Sequence, residues 1–515
     1  MGSGSDKPVN ITKSLEEKEV KAIINTFHSI VVTDIGHKGK IEWILNPKTL
    51  SLIFSDYHNF VKKLYAWMIF CKQNLMIEEV SKKKLSKEGL CESSFILAVE
   101  VLIKWMTTRV SYSTYDREDI FKLMLFIIEA DDSNPLGYFE SNNLSDITII
   151  TYTQAETLYN LIFNFLNSTS DVEYSPFPFL KSMFELDNRD NGDDTSKWKM
   201  EYDSFKFQVK RVIPFTIKYL NKYFETQTVY NTRSAISRAG DEFWNQNTLN
   251  ARSVKMPLLG SDILEQSKIL NPNLWSTLFL ALPKLELIKD IDLIFNSAKD
   301  GLSFNRLSAA IIGYKGPMIF LFRHFKDPSY EESGFETFSD DWIIGAFVDG
   351  EIKDNAKFGG DVNTCLFQIW PNVRIFRTTN GKGGSNFVYL NTVKIENSKL
   401  VYGFGFGGTT DEFRLWLDGD SIKEKSYASP EDSTFELGYL LQNSGSNNKL
   451  ILSRIEIYGL GGLEALEAQY EHRVMLQQLK EKQRKVDKKQ FLNEFDQEFL
   501  MGDLFKHKKD MEKRA

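Results

Sequence analysis

The sequence predicts an α+β protein made of three consecutive parts: a helical N-terminal region, a two-sheet β-sandwich with flanking helices, and a long C-terminal helix. Three observations predict this division. Apolar residues recur every three to four positions through residues 14–295, as in helices packed on one face. From residue 300, short alternating runs separated by Gly-Gly and Asn-Gly pairs indicate strands. From residue 463, helix-forming Glu, Gln and Lys dominate, and no glycine occurs before Gly502.

Composition and charge narrow the function classes. The chain has 515 residues, of which 42% are apolar and 26% charged, as in a globular protein of several domains. The net charge of −7 argues against nucleic acid as the main partner, because such binding needs a basic footprint. No apolar run approaches the ~18 residues of a membrane span. The cysteines have neither disulfide nor metal spacing and suit a reducing compartment: Cys71, Cys91 and Cys365.

The first thirteen residues, 1–13, are expected to be disordered. Their start resembles an N-myristoylation motif at Gly2, but Asp6 stands where that motif has Ser or Thr. Lipidation and a plain flexible start therefore both remain open.

The region 14–295 is predicted to be helical. Ser14 and Glu17 form a capping box at its start. Apolar spacing predicts further helices over Leu52–Cys71, Ser94–Thr107, Gln154–Phe165, Phe205–Phe224 and Trp275–Phe295.

A stretch that begins at Asp34 resembles an EF-hand calcium loop. Gly39 takes the sixth position and Ile41 the eighth, as the loop's turn requires. Lys38 at the fifth position and Leu45 at the twelfth cannot bind calcium.

A second stretch repeats the pattern from Asp132, with Gly137 sixth and the non-ligands Leu136 and Asn143 fifth and twelfth. The acidic residues 187–194 are interpreted as a solvated loop. Residues 14–295 are thus either an EF-hand-like region without calcium or helices joined by unrelated turns, and no metal site is predicted.

Residues 300–462 are predicted to form the β-sandwich. Its candidate strands are Ala309–Ile312, Met318–Phe325, Trp342–Val348, Thr364–Trp370, Val373–Arg377, Phe387–Leu390, Leu400–Phe406, Phe413–Leu417 and Leu450–Tyr458.

A glycine-rich stretch lies at the centre of this part. Gly403, Gly405 and Gly408 satisfy the G-x-G-x-x-G pattern of dinucleotide loops, which must open directly into a helix. The residues that follow alternate between polar and apolar instead. We therefore predict two strands joined at a structural turn, Gly407-Gly408, and no cofactor.

These residues resemble the core signature of the TLDc domain family. The similar segments, in order, are Gly301–Asn305, Cys365–Pro371, Gly405–Gly408, Leu415–Asp418 and Ile455–Gly459. The resemblance implies a two-sheet sandwich with flanking helices over residues 300–462. It identifies a set of motif residues with a structural or binding role: Phe367, Pro371, Gly405, Gly407, Gly408, Trp416 and Asp418.

We find no catalytic constellation in the sequence. Zinc-helix, Walker and G-x-S-x-G patterns are absent. Cys365 lies in an apolar run and is expected to pack as a small hydrophobe. The protein is therefore predicted not to be an enzyme.

Residues 463–515 are predicted to form a long helix followed by an apolar tail. Phe491, Phe495 and Phe499 repeat at the period of a helix and must be buried somewhere. The tail binds either a partner protein or its own chain through these residues and Leu500, Leu504 and Phe505.

The order of parts resembles the TLDc subgroup associated with mTOR signalling at lysosomes. This resemblance implies binding to the V1 sector of the vacuolar proton-pumping ATPase (V-ATPase), with the TLDc domain on the hexamer and stator and the C-terminal helix toward the rotor. The protein would be cytoplasmic and peripheral on endolysosomal or vacuolar membranes, and inhibition of rotation is the hypothesis. The alternatives are a scaffold in a cytoskeletal or ciliary assembly, or an oxidative-stress protein that uses Cys365 or an acidic cluster.

Overall fold

The computed structural model describes residues 24, 32–35, 41–44, 58–75, 119–142, 146–167, 178–188, 194–220, 256–257, 259–285, 288, 290–325, 341–379, 386–395, 400–441 and 449–485. The chain divides into two compact units. The first comprises Met1–Ile288, Glu332–Gly345 and Phe367–Ile375. The second comprises Lys289–Glu331, Ala346–Leu366 and Phe376–Ala515.

The first unit contains a β-hairpin at its start. Strands β1 (Val32–Ile35) and β2 (Ile41–Ile44) pair antiparallel. The structure thus supports an unrelated turn, and not an EF-hand-like loop, at the stretch that begins at Asp34. A helix would have to follow its eighth position, Ile41, but the β-branched and aromatic residues there favour a strand.

The helices of the first unit are α1 (His58–Leu75), α2 (Asp119–Glu129), α3 (Pro135–Ser141), α4 (Tyr152–Asn167), α5 (Pro178–Phe184), α6 (Tyr202–Val212), α7 (Ser261–Gln266) and α8 (Pro272–Ala281). The stretch that begins at Asp132 is likewise not an EF-hand-like loop, because most of it is helix α3. The Asn134 side chain caps that helix by accepting the Gly137 N–H at 3.1 Å, and Pro135 occupies its first turn.

A different pair of loops in this unit is EF-hand-like. Strands β3 (Ile149–Thr151) and β4 (Lys199–Glu201) lie in the α3–α4 and α5–α6 loops and pair antiparallel. Two helix-loop-helix units are thus joined through their loops, as in paired EF-hands. The side chain of Asn188 fixes the second loop by donating to the Phe184 carbonyl at 2.9 Å and accepting the Lys199 N–H at 3.0 Å.

Two predicted helices are shorter than the sequence indicated. The helix predicted over Phe205–Phe224 ends at Val212, before Pro214, and residues 216–220 are helical again. The helix predicted over Trp275–Phe295 ends at Ala281, two residues before Pro283, and its last four residues belong to strand β5. Proline ends both helices because it cannot donate the hydrogen bond that would continue them.

The remaining strands are β5 (Asp292–Asn296), β6 (Met318–Phe325), β7 (Asp341–Val348), β8 (Phe358–Gly359), β9 (Cys365–Trp370), β10 (Arg374–Phe376), β11 (Val388–Asn391), β12 (Gly403–Phe406), β13 (Leu415–Asp418), β14 (Tyr427–Ala428) and β15 (Leu452–Gly459). Among the described residues they form a six-stranded sheet, β10-β9-β7-β6-β15-β5, and a five-stranded sheet, β14-β13-β12-β11-β8. Within the second unit the two sheets meet face to face. There the Phe320 ring of β6 lies 5.3 Å from Phe404 and 5.7 Å from Phe406 of β12.

The second unit also contains short helices: α9 (Ser297–Asp300), α10 (Phe304–Ile311) and α11 (Ile422–Lys425). The strand predicted at Ala309–Ile312 is wrong, because these residues belong to the end of α10. Phe304, Leu307 and Ile311 of this helix are buried, at the three-to-four spacing of an amphipathic helix. The strands predicted between Met318 and Tyr458 are all present, with ends shifted by a few residues.

The predicted C-terminal helix is present as α12, which is helical over residues 462–485. The α+β fold is thereby confirmed. The predicted tail lies outside the described residues: Phe491, Phe495, Phe499, Leu500, Leu504 and Phe505. In the described parts of the chain, no helix combines the length and the apolar character needed to cross a bilayer.

Candidate functional site

The glycine-rich motif forms the antiparallel pair β12–β13. Gly405 lies opposite Trp416 in this pair. A Cβ atom on Gly405 would lie 2.5 Å from Phe413 Cδ1 and 2.8 Å from Trp416 Cε3. Glycine is therefore required here because the two aromatic rings lie directly on the backbone.

These rings belong to a buried aromatic cluster on one face of the five-stranded sheet. Phe413 and Trp416 stack with their centroids 4.4 Å apart, and Tyr389 lies 5.3 Å from Phe413. The Tyr389 hydroxyl donates to the Val401 carbonyl at 2.9 Å. Trp416 is only 3% exposed, so it packs in the domain core and does not present a binding surface.

The Gly407-Gly408 pair forms a turn that only glycine accommodates easily. Both residues have positive φ, at 65° and 74°, and a Cβ on Gly408 would lie 2.1 Å from the Glu412 carbonyl oxygen. The Gly408 N–H donates to the Asp432 carboxylate at 2.9 Å. Strand β13 follows this turn, so the geometry of a phosphate-binding helix N-terminus is not present.

The other motif residues also have local structural contacts. The Asp418 carboxylate accepts the N–H groups of Asp420 and Ser421, at 3.0 and 2.9 Å, and so shapes the entry to α11. Phe367 is fully buried in β9, and Pro371 follows a cis peptide bond. A direct partner-binding role of these residues stays a prediction.

Sequence reasoning missed a buried arginine beside the turn. Arg414 is 0% exposed and lies over the Phe376 ring at 5.3 Å. Its Nη2 donates to the carbonyls of Glu436 and Gly438. Burial lowers the pKa of this guanidinium. The sequence signal for it is a charged residue between the apolar residues Phe413 and Leu415, directly before strand β13.

Cys365 does not have the environment of a nucleophile. It is buried, and that burial raises the pKa of its thiol to about 12. The thiolate, which is the reactive form, is therefore scarce at neutral pH.

Two acidic residues of the sandwich, Asp361 and Glu456, accept hydrogen bonds from residues two positions further along the chain. Asp361 accepts a hydrogen bond from Asn363 at 2.7 Å, and Glu456 accepts one from Tyr458 at 2.6 Å. In the described portions of the chain, no group of three or more His, Cys, Asp or Glu is arranged to hold a metal ion.

The C-terminal helix docks on the end of α10 through polar side chains. Gln469 Nε2 donates to the Ala310 carbonyl at 2.6 Å, and Arg473 Nη2 donates to the Ala309 carbonyl at 3.1 Å. These carbonyls lie in the last turn of α10, where helical carbonyls have no partner within the helix. The two side chains therefore cap α10 and orient α12.

Apolar side chains are exposed along α12, both before and after these contacts. Leu463 and Tyr470 are 68% and 70% exposed, and Met475 and Leu479 are each 51% exposed. Such residues on a helix attached at one face are typical of a surface that binds another protein.

A groove lies beside this docked helix. We call it the α10–α12 groove; it is lined by α10, by residues 351–354 and by the His472–Lys480 part of α12, and has a volume of about 1160 Å³. This exceeds the ~300–1,000 Å³ of a small-molecule site.

The fold and its motif define the class of protein. Residues 263–461 match the family model of the TLDc domain, so this part of the chain is a TLDc domain. The N-terminal boundary at 300 stays a prediction.

Named relatives share this domain. The chain is 28% identical to MTOR-associated protein MEAK7 of Gallus gallus over 171 residues, which cover 33% of this chain and 31% of that protein. It is 30% identical to Oxidation resistance protein 1 of Xenopus laevis over 135 residues, which cover 26% of this chain and 13% of that protein. The matches thus span about a third or less of each relative's length.

Proposed function

We propose that this chain is a non-enzymatic protein that binds and regulates the V-ATPase. The TLDc domain would bind the outer face of the V1 catalytic hexamer and its stator, and the C-terminal helix would extend toward the rotor. The protein would be cytoplasmic and would reach endolysosomal or vacuolar membranes through this partner. Support comes from the TLDc domain and from similarity to MEAK7, whose name records association with mTOR.

One observation carries the regulatory part of the proposal: α12 is fixed to the TLDc domain at one end and exposes apolar side chains beyond it. Gln469 and Arg473 hold its first turns. Residues 462–485 extend about 36 Å at 1.5 Å per residue. A helix fixed to a static part and bound to a rotating part would resist rotation, so we propose inhibition.

The test measures binding of the full-length protein and of two variants to the purified V1 sector of the V-ATPase. One chain ends at Lys485 and keeps the contacts of Gln469 and Arg473; the other is the full chain with Phe495→Ala and Phe499→Ala. We expect the full-length protein to bind and both variants to bind at least tenfold more weakly. Equal binding by all three would place the contact in the TLDc domain and remove the tail from the interface. No binding by any would refute the proposal.

A second candidate is protection against oxidation, which the similarity to Oxidation resistance protein 1 favours. The buried thiol of Cys365 argues against a thiol mechanism within the domain. The test of this argument is the survival of cells that carry Cys365→Ala after exposure to peroxide. We expect survival equal to wild type, and loss of survival would restore the thiol mechanism.

A further inference from the structure

The rim of the α10–α12 groove carries more positive than negative side chains. Four cationic residues line it: Arg306, Lys353, Arg473 and Lys480. Arg306 and Arg473 donate to backbone carbonyls and not to carboxylates. Neither Lys353 nor Lys480 forms a salt bridge with another residue that the structure describes. Against the three carboxylates that also line the groove, the lining keeps an excess of one positive charge.

Three carboxylates also line the groove, and two of them are already satisfied. Asp300 accepts the Asn296 N–H at 2.9 Å, and Asp354 accepts the N–H and hydroxyl of Thr392. Glu351 has neither contact and is the rim's remaining acidic group. An occupant of this groove should therefore be acidic, and Glu351 should weaken its binding.

The groove is also lined by apolar side chains. Ile294, Ile312, Ile352 and Leu476 contribute to it, and Leu476 is 36% exposed. Water in contact with such surface is displaced favourably by apolar groups, at about 25 cal/mol per Å². The fitting occupant therefore combines large apolar side chains with carboxylates.

The chain itself contains such a segment. Residues 490–505, which lie outside the described residues, contain Phe and Leu side chains and no Lys, Arg or His. Their acidic residues are Glu494, Asp496, Glu498 and Asp503. On a helix, Phe491, Phe495 and Phe499 would share one face.

Chain length permits this segment to reach the groove. Lys480 lines the groove, and residue 490 follows ten positions later. Helix α12 continues for five of these residues, to residue 485, and leads about 7.5 Å away from Lys480. The next five residues span up to roughly 16–18 Å when extended, which is enough for the chain to turn back. A short tether also gives an effective concentration on the order of millimolar, which favours the segment of the same chain over a free acidic peptide.

We propose that, in the free protein, residues 490–505 bind the α10–α12 groove of the same chain. The phenylalanine side chains occupy the apolar wall, and the carboxylates face Lys353 and Lys480. The contact is autoinhibitory, because the residues that would bind a partner are occupied until that partner competes for them.

The test uses full-length protein without any ATPase, so its result does not depend on whether the protein binds the V-ATPase. A fluorescently labelled peptide of residues 490–505 is titrated, and anisotropy reports binding. The first protein is wild type. The second is the tail variant, Phe495→Ala with Phe499→Ala, whose groove is expected to be empty. We expect the peptide to bind the tail variant at least tenfold more tightly than wild type. This binding should weaken when salt is added.

Charge variants in the tail-variant background locate the site. Lys353→Glu with Lys480→Glu should weaken peptide binding at least tenfold, and Glu351→Lys should strengthen it. The matched control, Lys315→Glu with Lys482→Glu, makes the same charge change outside the groove and should leave binding within twofold.

The proposal is overturned by any of three results. The peptide binds neither protein, or it binds wild type and the tail variant equally. The third is that both lysine pairs change binding to the same extent, which would show a general charge effect.

Hydrogen exchange at residues 351–354 and 472–480 gives an independent readout, because these segments should exchange faster in the tail variant than in wild type. Equal exchange rates would likewise count against the proposal.

Discussion

Gly405→Ala tests whether the glycine motif exists to admit the aromatic cluster. The new Cβ would lie 2.5 Å from Phe413 Cδ1, against about 3.4 Å for an ordinary contact, so the ring must retreat by about 0.9 Å. It has little room, since Phe413 stacks on Trp416 at 4.4 Å and meets Tyr389 at 5.3 Å. Overpacking of this kind costs roughly 1–3 kcal/mol. At about 2–4 °C per kcal/mol for a domain of this size, Tm should fall by roughly 2–12 °C.

The assay is thermal unfolding of the full-length protein, followed by near-ultraviolet circular dichroism, which reports the packed aromatic rings. Gly359→Ala is the matched control. It lies in β8 of the same sheet, and a Cβ there meets nothing within 4 Å. We expect its effect to stay within about 0.5 kcal/mol. Equal effects of the two substitutions would refute the reasoning.

Three further predictions concern the buried side chains of His324, Asn188 and Cys365. Burial lowers the pKa of His324 to about 4, and its neutral ring accepts the Ile451 N–H at 2.8 Å. Between about pH 6.5 and 4 the unfolded state binds the proton and the folded state does not, so stability should fall as pH falls, by up to about 3 kcal/mol. His324→Asn should flatten the pH profile of denaturant unfolding, and an unchanged slope would contradict this. Asn188→Ala removes several hydrogen bonds from the β4 loop and should cost about 2–3 kcal/mol, with faster hydrogen exchange at residues 194–201; unaltered exchange would count against it. Cys365 should resist alkylation in the native protein and react in denaturant, as mass spectrometry of its peptide will show, and equal labelling in both states would disprove its burial.

The sandwich could be predicted from sequence because its signals are local. Alternating residues flank the glycines of β12, and the Gly407-Gly408 turn needs positive φ at both positions. The strand predicted at Ala309–Ile312 failed because a short apolar run does not distinguish strand from helix. Its identity depends on α10 as a whole, whose buried face includes Phe304 and Leu307.

The EF-hand-like loops were missed for a related reason. A glycine at the sixth position indicates calcium loops at Gly39 and Gly137, and the acidic residues 187–194, which lie between α5 and α6 in the sequence, are interpreted as a solvated loop. The two loops that pair contain strands β3 and β4. The residues before these strands are Thr148 and Trp198, and neither is glycine. Pairing between segments about 50 residues apart is a tertiary contact, and ligand spacing does not report it.

The candidate site was only partly accessible from sequence. Helical spacing predicted α12, but its docked face depends on Gln469 and Arg473, which are unremarkable in a helix rich in polar residues. The α10–α12 groove arises from segments that are far apart in sequence, between Ile294 and Lys480. Sequence alone therefore predicts the apolar stripe of the tail but not the groove.

The most direct test of the account is ATP hydrolysis by the purified V1 sector, titrated with the full-length protein. We expect the rate of ATP hydrolysis to fall and to level off at about one chain per V1 complex. The chain that ends at Lys485 should inhibit much less at the same concentration. Unchanged or faster hydrolysis when the full-length protein is bound would contradict the account.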